Sequence, residues 1–316
     1  MRILVTGCTG FAGGFLVDAL AAAGASVFGV CRRPPLPGQA PHLDGKLADL
    51  LSCDLDDRSA CEAVLRQVRP ERIFHLAGYA NVGKSYREPD AAWQANLGIT
   101  RNLCEAVLRW GEQPRIVVVS SGLIYGEPDA TGALMTEDSP LRPVSPYAAS
   151  KAAADLAAFQ YGVGNKLEVI RARAFNHIGP RQSPEFAAPN FARQIAAIEQ
   201  GRQPPVLETG DLRPRRDLTD VRDMAAAYCL LGEQGRPGEA YNIGSGAAHS
   251  MQTVLDRLLA LARVPITVKQ NPALLRATDP AALRADAGKL HRATGWAPRY
   301  TLDQTLRDTL DYWRQQ

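Results

Sequence analysis

The chain has 316 residues, of which 46% are hydrophobic and 22% charged, the profile of a soluble globular protein with one large or two modest buried cores. Its net charge of +3 is too small for a nucleic-acid or membrane surface, and no apolar run nears the roughly 20 residues that a bilayer span requires. The six cysteines include no Cys-x-x-Cys pair, which argues against a metal site and a disulfide framework and suits the reducing cytoplasm.

Residues 2–6 read as a short buried strand that starts at once, so no signal peptide is expected. Gly7, Cys8, Thr9, Gly10, Phe11, Ala12 and Gly13 follow, and an Ala/Leu-rich helix over 15–23 stops at Gly24. Gly-x-x-Gly-x-x-Gly between a strand and a helix lets the backbone approach a pyrophosphate resting on the helix N-terminus, so these residues are candidate dinucleotide contacts. Cys8 has no histidine beside it and reads as turn packing.

The second strand, 26–31, ends in Arg32 and Arg33. A carboxylate there would grip the 2′-hydroxyl of NAD, whereas arginine suits the 2′-phosphate of NADP; the pair favours NADP and leaves NAD possible. Residues 34–45 form a loop, and Asp54 and Leu55 stand where an adenine ring is held. Residues 72–78 are a further buried strand, with Leu76, Ala77 and Gly78 at the end a cofactor passes and His75 as a packed core histidine. Val82 lies on a loop, 81–85, that faces substrate; Lys84 there is either a phosphate partner or a solvated charge. Asn96 opens a helix running to about Arg109 and joins the cofactor set.

A strand over 114–119, with Val119 on the cofactor side, leads into Ser120-Ser121-Gly122-Leu123-Ile124-Tyr125-Gly126. The C-terminal end of a buried strand is where an open α/β sheet places its chemistry. The Ser121 hydroxyl can hydrogen-bond a substrate carbonyl there, with Gly122 beside it. Ser145-Pro146 then opens a helix on which Tyr147 and Lys151 share a face. A phenol ordinarily titrates at about 10, and a cation held beside it pulls that value toward the working range, so Tyr-x-x-x-Lys is an acid–base device.

The glycine triplet, Ser121 with Tyr125-Gly126, and Tyr147 with Lys151 resemble the extended short-chain dehydrogenase/reductase superfamily. The resemblance implies a catalytic triad in which Tyr147 exchanges a proton with the sugar oxygen, and Lys151 binds the nicotinamide ribose and lowers the Tyr147 pKa. It implies an α/β fold: a Rossmann-type doubly wound parallel sheet with a smaller C-terminal α/β substrate domain. Residues 1–174 with about 217–242 would bind NAD(P), Phe175 joining the cofactor contacts, and about 175–216 with 243–316 would bind the nucleotide sugar. A homodimer seam would form from the helices near Asn96 and Tyr147. Leu123 stands where sugar-nucleotide 4,6-dehydratases carry a glutamate; a leucine cannot abstract a proton, which disfavours dehydration.

In the C-terminal half, a strand over 167–173 leads out of the nucleotide region, a helix runs over about 189–200, and residues 211–223 are dense in charge. Arg173-Ala174-Phe175-Asn176-His177-Ile178-Gly179-Pro180, Arg216 to Asp223, Tyr241 to Gly246, Asn271 to Arg276 and Thr294 to Pro298 are similar to stretches of GDP-6-deoxy-D-mannose reductases. That likeness implies reduction of the 4-keto group of GDP-4-keto-6-deoxy-D-mannose to GDP-D-rhamnose or its C4 epimer. It places Asn176 on the substrate diphosphate, Arg216 and Arg276 on its phosphates, Asp279 on the ribose hydroxyls, and Glu185 and Phe186 along the guanine, with Arg193 in the same set. Two other readings stay open: a nucleotide-sugar 4-epimerase with tightly bound NAD, and a non-catalytic NAD(P)-binding regulatory protein, which would tolerate loss of Tyr147 or Lys151.

Overall fold

The computed structural model describes residues 1–35, 40–127, 132–274 and 283–316. Six strands alternate with helices along the N-terminal part: β1 (Arg2–Thr6), β2 (Ser26–Cys31), β3 (Asp49–Ser52), β4 (Arg72–His75), β5 (Arg115–Ser121) and β6 (Val169–Ala174). With Ala240–Ile243 they make a seven-stranded sheet in the order Ala240–Ile243, β6, β5, β4, β1, β2, β3. Every neighbouring pair is parallel. Runs such as Ile116, Val117 and Val118 are apolar on both faces, as strands covered by helices on each side require.

The helices are α1 (Phe11–Ala22), α2 (Arg58–Val68), α3 (Val82–Ser85), α4 (Pro89–Trp93), α5 (Ile99–Trp110) and α6 (Pro146–Val163). One core layer joins α1 to the helix Val221–Gln234 beneath the sheet, through Leu16, Val17, Val117 and Tyr228. The opposite layer holds Val64, Leu103 and Ala158 of α2, α5 and α6. A separate cluster, with Ile195, Leu255 and Leu306, binds the helices Ala187–Glu199, Met251–Leu259 and Leu302–Arg314 together. Among the described residues no helix is long and apolar enough to cross a membrane, and no group of acidic, histidine or cysteine side chains is placed to hold a metal ion.

Some boundaries differ from expectation for identifiable reasons. α1 starts at Phe11, inside the glycine motif, so that Gly10 caps it and Gly13 lies in its first turn. Residues 82–85 are helical because the Asn81 side chain accepts the Lys84 N–H at 2.9 Å. The helix expected to open at Asn96 begins at Pro89, which sits at a first-turn position where its missing N–H costs nothing. Asn96 lies instead in a π-helical turn, Gln94–Gly98, joining α4 to α5. β4 ends at His75, since the Ala77 N–H turns aside to the Thr6 hydroxyl at 3.2 Å.

Candidate active site

The sheet order reverses between β1 and β4, and a cavity of about 580 Å³ opens at the C-terminal ends of those strands. Gly7, Thr9, Gly10, Phe11, Ala12 and Gly13 form one wall. Arg32, Asp54 and Leu55 lie at one end, and Leu76, Ala77, Gly78 and Val119 line the middle. Ser121, Gly122, Tyr147, Lys151 and Phe175 line the other end, with Val82, Asn176 and Phe186 beside them. Arg33, Asn96, Glu185, Arg193 and Arg216 are not among the walls, and Arg276 and Asp279 lie outside the described residues.

The glycine turn is shaped for close approach. Gly7 has φ of +73°, and a Cβ there would stand 2.7 Å from the Ala77 nitrogen. A Cβ on Gly13 would collide with the Gly7 carbonyl oxygen, so this glycine lets α1 pack onto β1. Gly10 caps α1 without a side-chain hydrogen bond, which leaves the first-turn N–H groups for an anion at the cavity wall. Cys8 is fully buried, with its thiol against the Val30 carbonyl, and burial pushes it up to about 11, so it is packing and no nucleophile. Beyond the turn, Arg32 stands 3.6 Å from Asp54 and 3.7 Å from Asp56, in loose pairs that leave its guanidinium 65% exposed.

At the catalytic end, Ser145 caps α6 by accepting the Ala148 N–H at 3.1 Å, and Pro146 occupies the first turn. The Tyr147 N–H donates to the Ser85 hydroxyl at 3.2 Å, which ties α3 to the start of α6. The Tyr147 phenol lies beside Ser121 in the cavity wall, and the Ser121 oxygen accepts the Leu123 N–H at 3.2 Å. Lys151 is buried and donates to the Val119 carbonyl at 3.1 Å. Burial lowers its ammonium to about 8. Burial also pushes the Tyr147 phenol up, with the neighbouring Ser121 hydroxyl partly opposing. Burial is thus the largest influence on the phenol in the ligand-free protein.

Asn96 works from behind the wall. Its carbonyl oxygen accepts the Tyr79 N–H at 2.9 Å, and its amide donates to Ser150 at 2.9 Å, which donates to the Tyr147 carbonyl at 2.8 Å. Gly78 leaves room for this, since a Cβ would stand 2.7 Å from the Asn96 oxygen and 3.2 Å from the Lys151 nitrogen. His75 is a core histidine between Thr6 at 2.8 Å and Thr100 at 3.1 Å; burial, then the Lys151 charge, lowers its pKa to about 3. Leu123 lines the cavity, so an apolar side chain occupies the place of the glutamate in the dehydratase pattern.

On the substrate side, Glu185 accepts from Lys84 at 2.6 Å and from Asn81 at 3.1 Å, which bridges α3 to the segment before Ala187–Glu199. Lys84 is thereby an exposed ion-pair partner in this arrangement. Arg193 donates to Asn190 at 3.1 Å, and Arg216 donates to the Arg215 carbonyl at 2.7 Å. Arg181, with φ of +69°, stacks on Phe15 and pairs with Asp18 of α1 at 2.6 Å, away from the cavity. Sequence reasoning missed Tyr79, Gln182 and Tyr228 in the walls. None carries a spacing that separates a cavity residue from ordinary loop or core.

The family described as GDP-mannose 4,6 dehydratase matches residues 4–309. The chain is 36% identical over 313 residues to the GDP-6-deoxy-D-mannose reductase of Pseudomonas aeruginosa, covering 99% of this chain and 97% of that one. The structure of RMD from Pseudomonas aeruginosa complexed with NADPH superposes with a TM-score of 0.86 at 33% identity, covering 99% of each chain. The UDP-glucose 4-epimerase of Thermus thermophilus, in complex with NAD, superposes with a TM-score of 0.87 at 32% identity, also over 99% of each chain.

Proposed function

The chain belongs to the GDP-mannose 4,6-dehydratase family, and we propose that within it this protein is an NAD(P)-dependent reductase of a nucleotide-linked 4-keto-6-deoxyhexose. The substrate is GDP-4-keto-6-deoxy-D-mannose and the product GDP-D-rhamnose or its C4 epimer. The observation that carries this reading is the convergence of Tyr147, Ser121 and Lys151 at one end of the cavity, with Leu123 where a dehydratase base would stand. A reductase needs a proton donor at the carbonyl oxygen, the role this position gives Tyr147.

The walls fit a dinucleotide: the glycine turn admits a pyrophosphate, and Arg32 reaches the end where a 2′-phosphate would lie. That supports NADP, with NAD still accommodated by Asp54 nearby. When bound, the reduced nicotinamide supplies a hydride to C4 of the sugar. Tyr147 then gives its proton to the former carbonyl oxygen, while Ser121 orients that oxygen. Lys151, a cation below its value of about 8, stabilises the phenolate left behind and holds the ribose. Asn176 meets the diphosphate, and Val82 and Phe186 flank the base, as their place in the walls supports. Leu156, Phe159 and Val163 make an exposed apolar stripe on α6, which supports a homodimer seam on that helix.

Purified protein supplied with GDP-4-keto-6-deoxy-D-mannose should oxidise NADPH, and more slowly NADH, and the Tyr147→Phe variant should lose that turnover. Interconversion of a nucleotide hexose with no consumption of reduced cofactor would instead establish the epimerase reading, which the NAD-bound epimerase fold keeps in view.

A further inference from the structure

Tyr228 sits on the helix Val221–Gln234, fully buried in the same core layer as Phe74, Val117 and Ala174. Its hydroxyl has no hydrogen-bond partner among the described residues, although the residue lines the active-site cavity. The other buried tyrosines are satisfied. Tyr125 bonds Asn242 and Arg173, Tyr161 bonds Glu105, and the Tyr241 oxygen accepts the Arg236 N–H. A buried hydroxyl without a partner weakens a fold, so a packed core keeps one where something else completes it.

The position along the cavity narrows what that is. Tyr228 packs with Phe74 of β4, Val117 of β5 and Ala174 of β6, which sets it on the Tyr147 side of the cavity, away from Arg32 at the β2 end. In the dinucleotide reading the nicotinamide is the part of the cofactor that reaches this end, and its carboxamide is the hydrogen-bonding substituent of that ring. We propose that the Tyr228 hydroxyl is the hydrogen-bond partner of the nicotinamide carboxamide, and thereby a positioning residue that fixes the orientation of the ring. The inference rests on the dinucleotide reading given above.

The test uses the whole protein and its Tyr228→Phe variant, with fluorescence titration by NADPH, titration by the half-cofactor 2′,5′-ADP, and thermal melting without ligand. Loss of one neutral hydrogen bond should weaken NADPH binding about three- to tenfold, with 2′,5′-ADP binding unchanged. The ligand-free variant should melt at the same temperature as the wild type or higher, because an unpaired hydroxyl has been removed. Unchanged NADPH affinity would overturn the proposal. So would equal weakening of both ligands with a lowered melting temperature, the signature of a hydroxyl bonded inside the fold. A wild type that binds neither NADPH nor NADH would refute the dinucleotide reading itself, an outcome separable from failure of the variant alone.

Discussion

Replacing Lys151 with methionine should make the ligand-free protein more stable at neutral pH while destroying its activity. The ammonium is buried, and burial lowers it from the ordinary 10.5 to about 8. At about 1.4 kcal/mol per pH unit, the charged form therefore forfeits about 3 kcal/mol of folding free energy. Deleting the 3.1 Å hydrogen bond to the Val119 carbonyl returns about 1.5 kcal/mol of that, so the variant should gain about 1–2 kcal/mol. For a chain of this size the gain is a rise in Tm of about 1.5–3 °C at pH 7. The pH dependence fixes the cause. Below about 8 the lysine is protonated in both folded and unfolded states, and the penalty is complete. Between about 8 and 10.5 the unfolded chain holds the proton that the folded chain has released, so wild-type stability rises with pH and the gap to the variant closes. Calorimetry of both proteins at pH 7 and pH 10 measures this. A variant that melts below the wild type at pH 7, by a margin that does not change with pH, would refute the reasoning.

Other substitutions probe the walls. Gly122→Ala sets a Cβ 2.6 Å from the Phe175 ring, and should lower stability by about 1–3 kcal/mol in a denaturant titration as the ring is displaced. Arg32→Ala should cut the preference for NADPH over NADH about tenfold, read from dissociation constants for each, since its guanidinium is the cation in the wall at that end of the cavity.

The residues legible in the sequence are those whose function needs fixed local spacing. Gly7, Gly10 and Gly13 must follow one another through a single turn, and Tyr147 and Lys151 must share a helix face, so each pattern survives without tertiary context. The parallel sheet was legible for the same reason, through apolar runs that alternate with helices. The helix start expected at Asn96 was misplaced because a π turn has no compositional mark; from that turn the Asn96 side chain reaches Tyr79 and Ser150. The direction of the Tyr147 shift depends on burial, which no spacing reports. Tyr228 reads as one more core position of an apolar helix, and only the packing around it reveals an unpartnered hydroxyl.

The most direct test of hydride transfer at C4 is a reaction run with NADPH deuterated at C4 of its nicotinamide, followed by NMR of the sugar product. The account predicts deuterium bonded to C4 of the hexose, in stoichiometric match to the NADPH consumed, and no such product from Tyr147→Phe. A C4-altered sugar that carries no deuterium, formed while the reduced cofactor in solution stays constant, would contradict it.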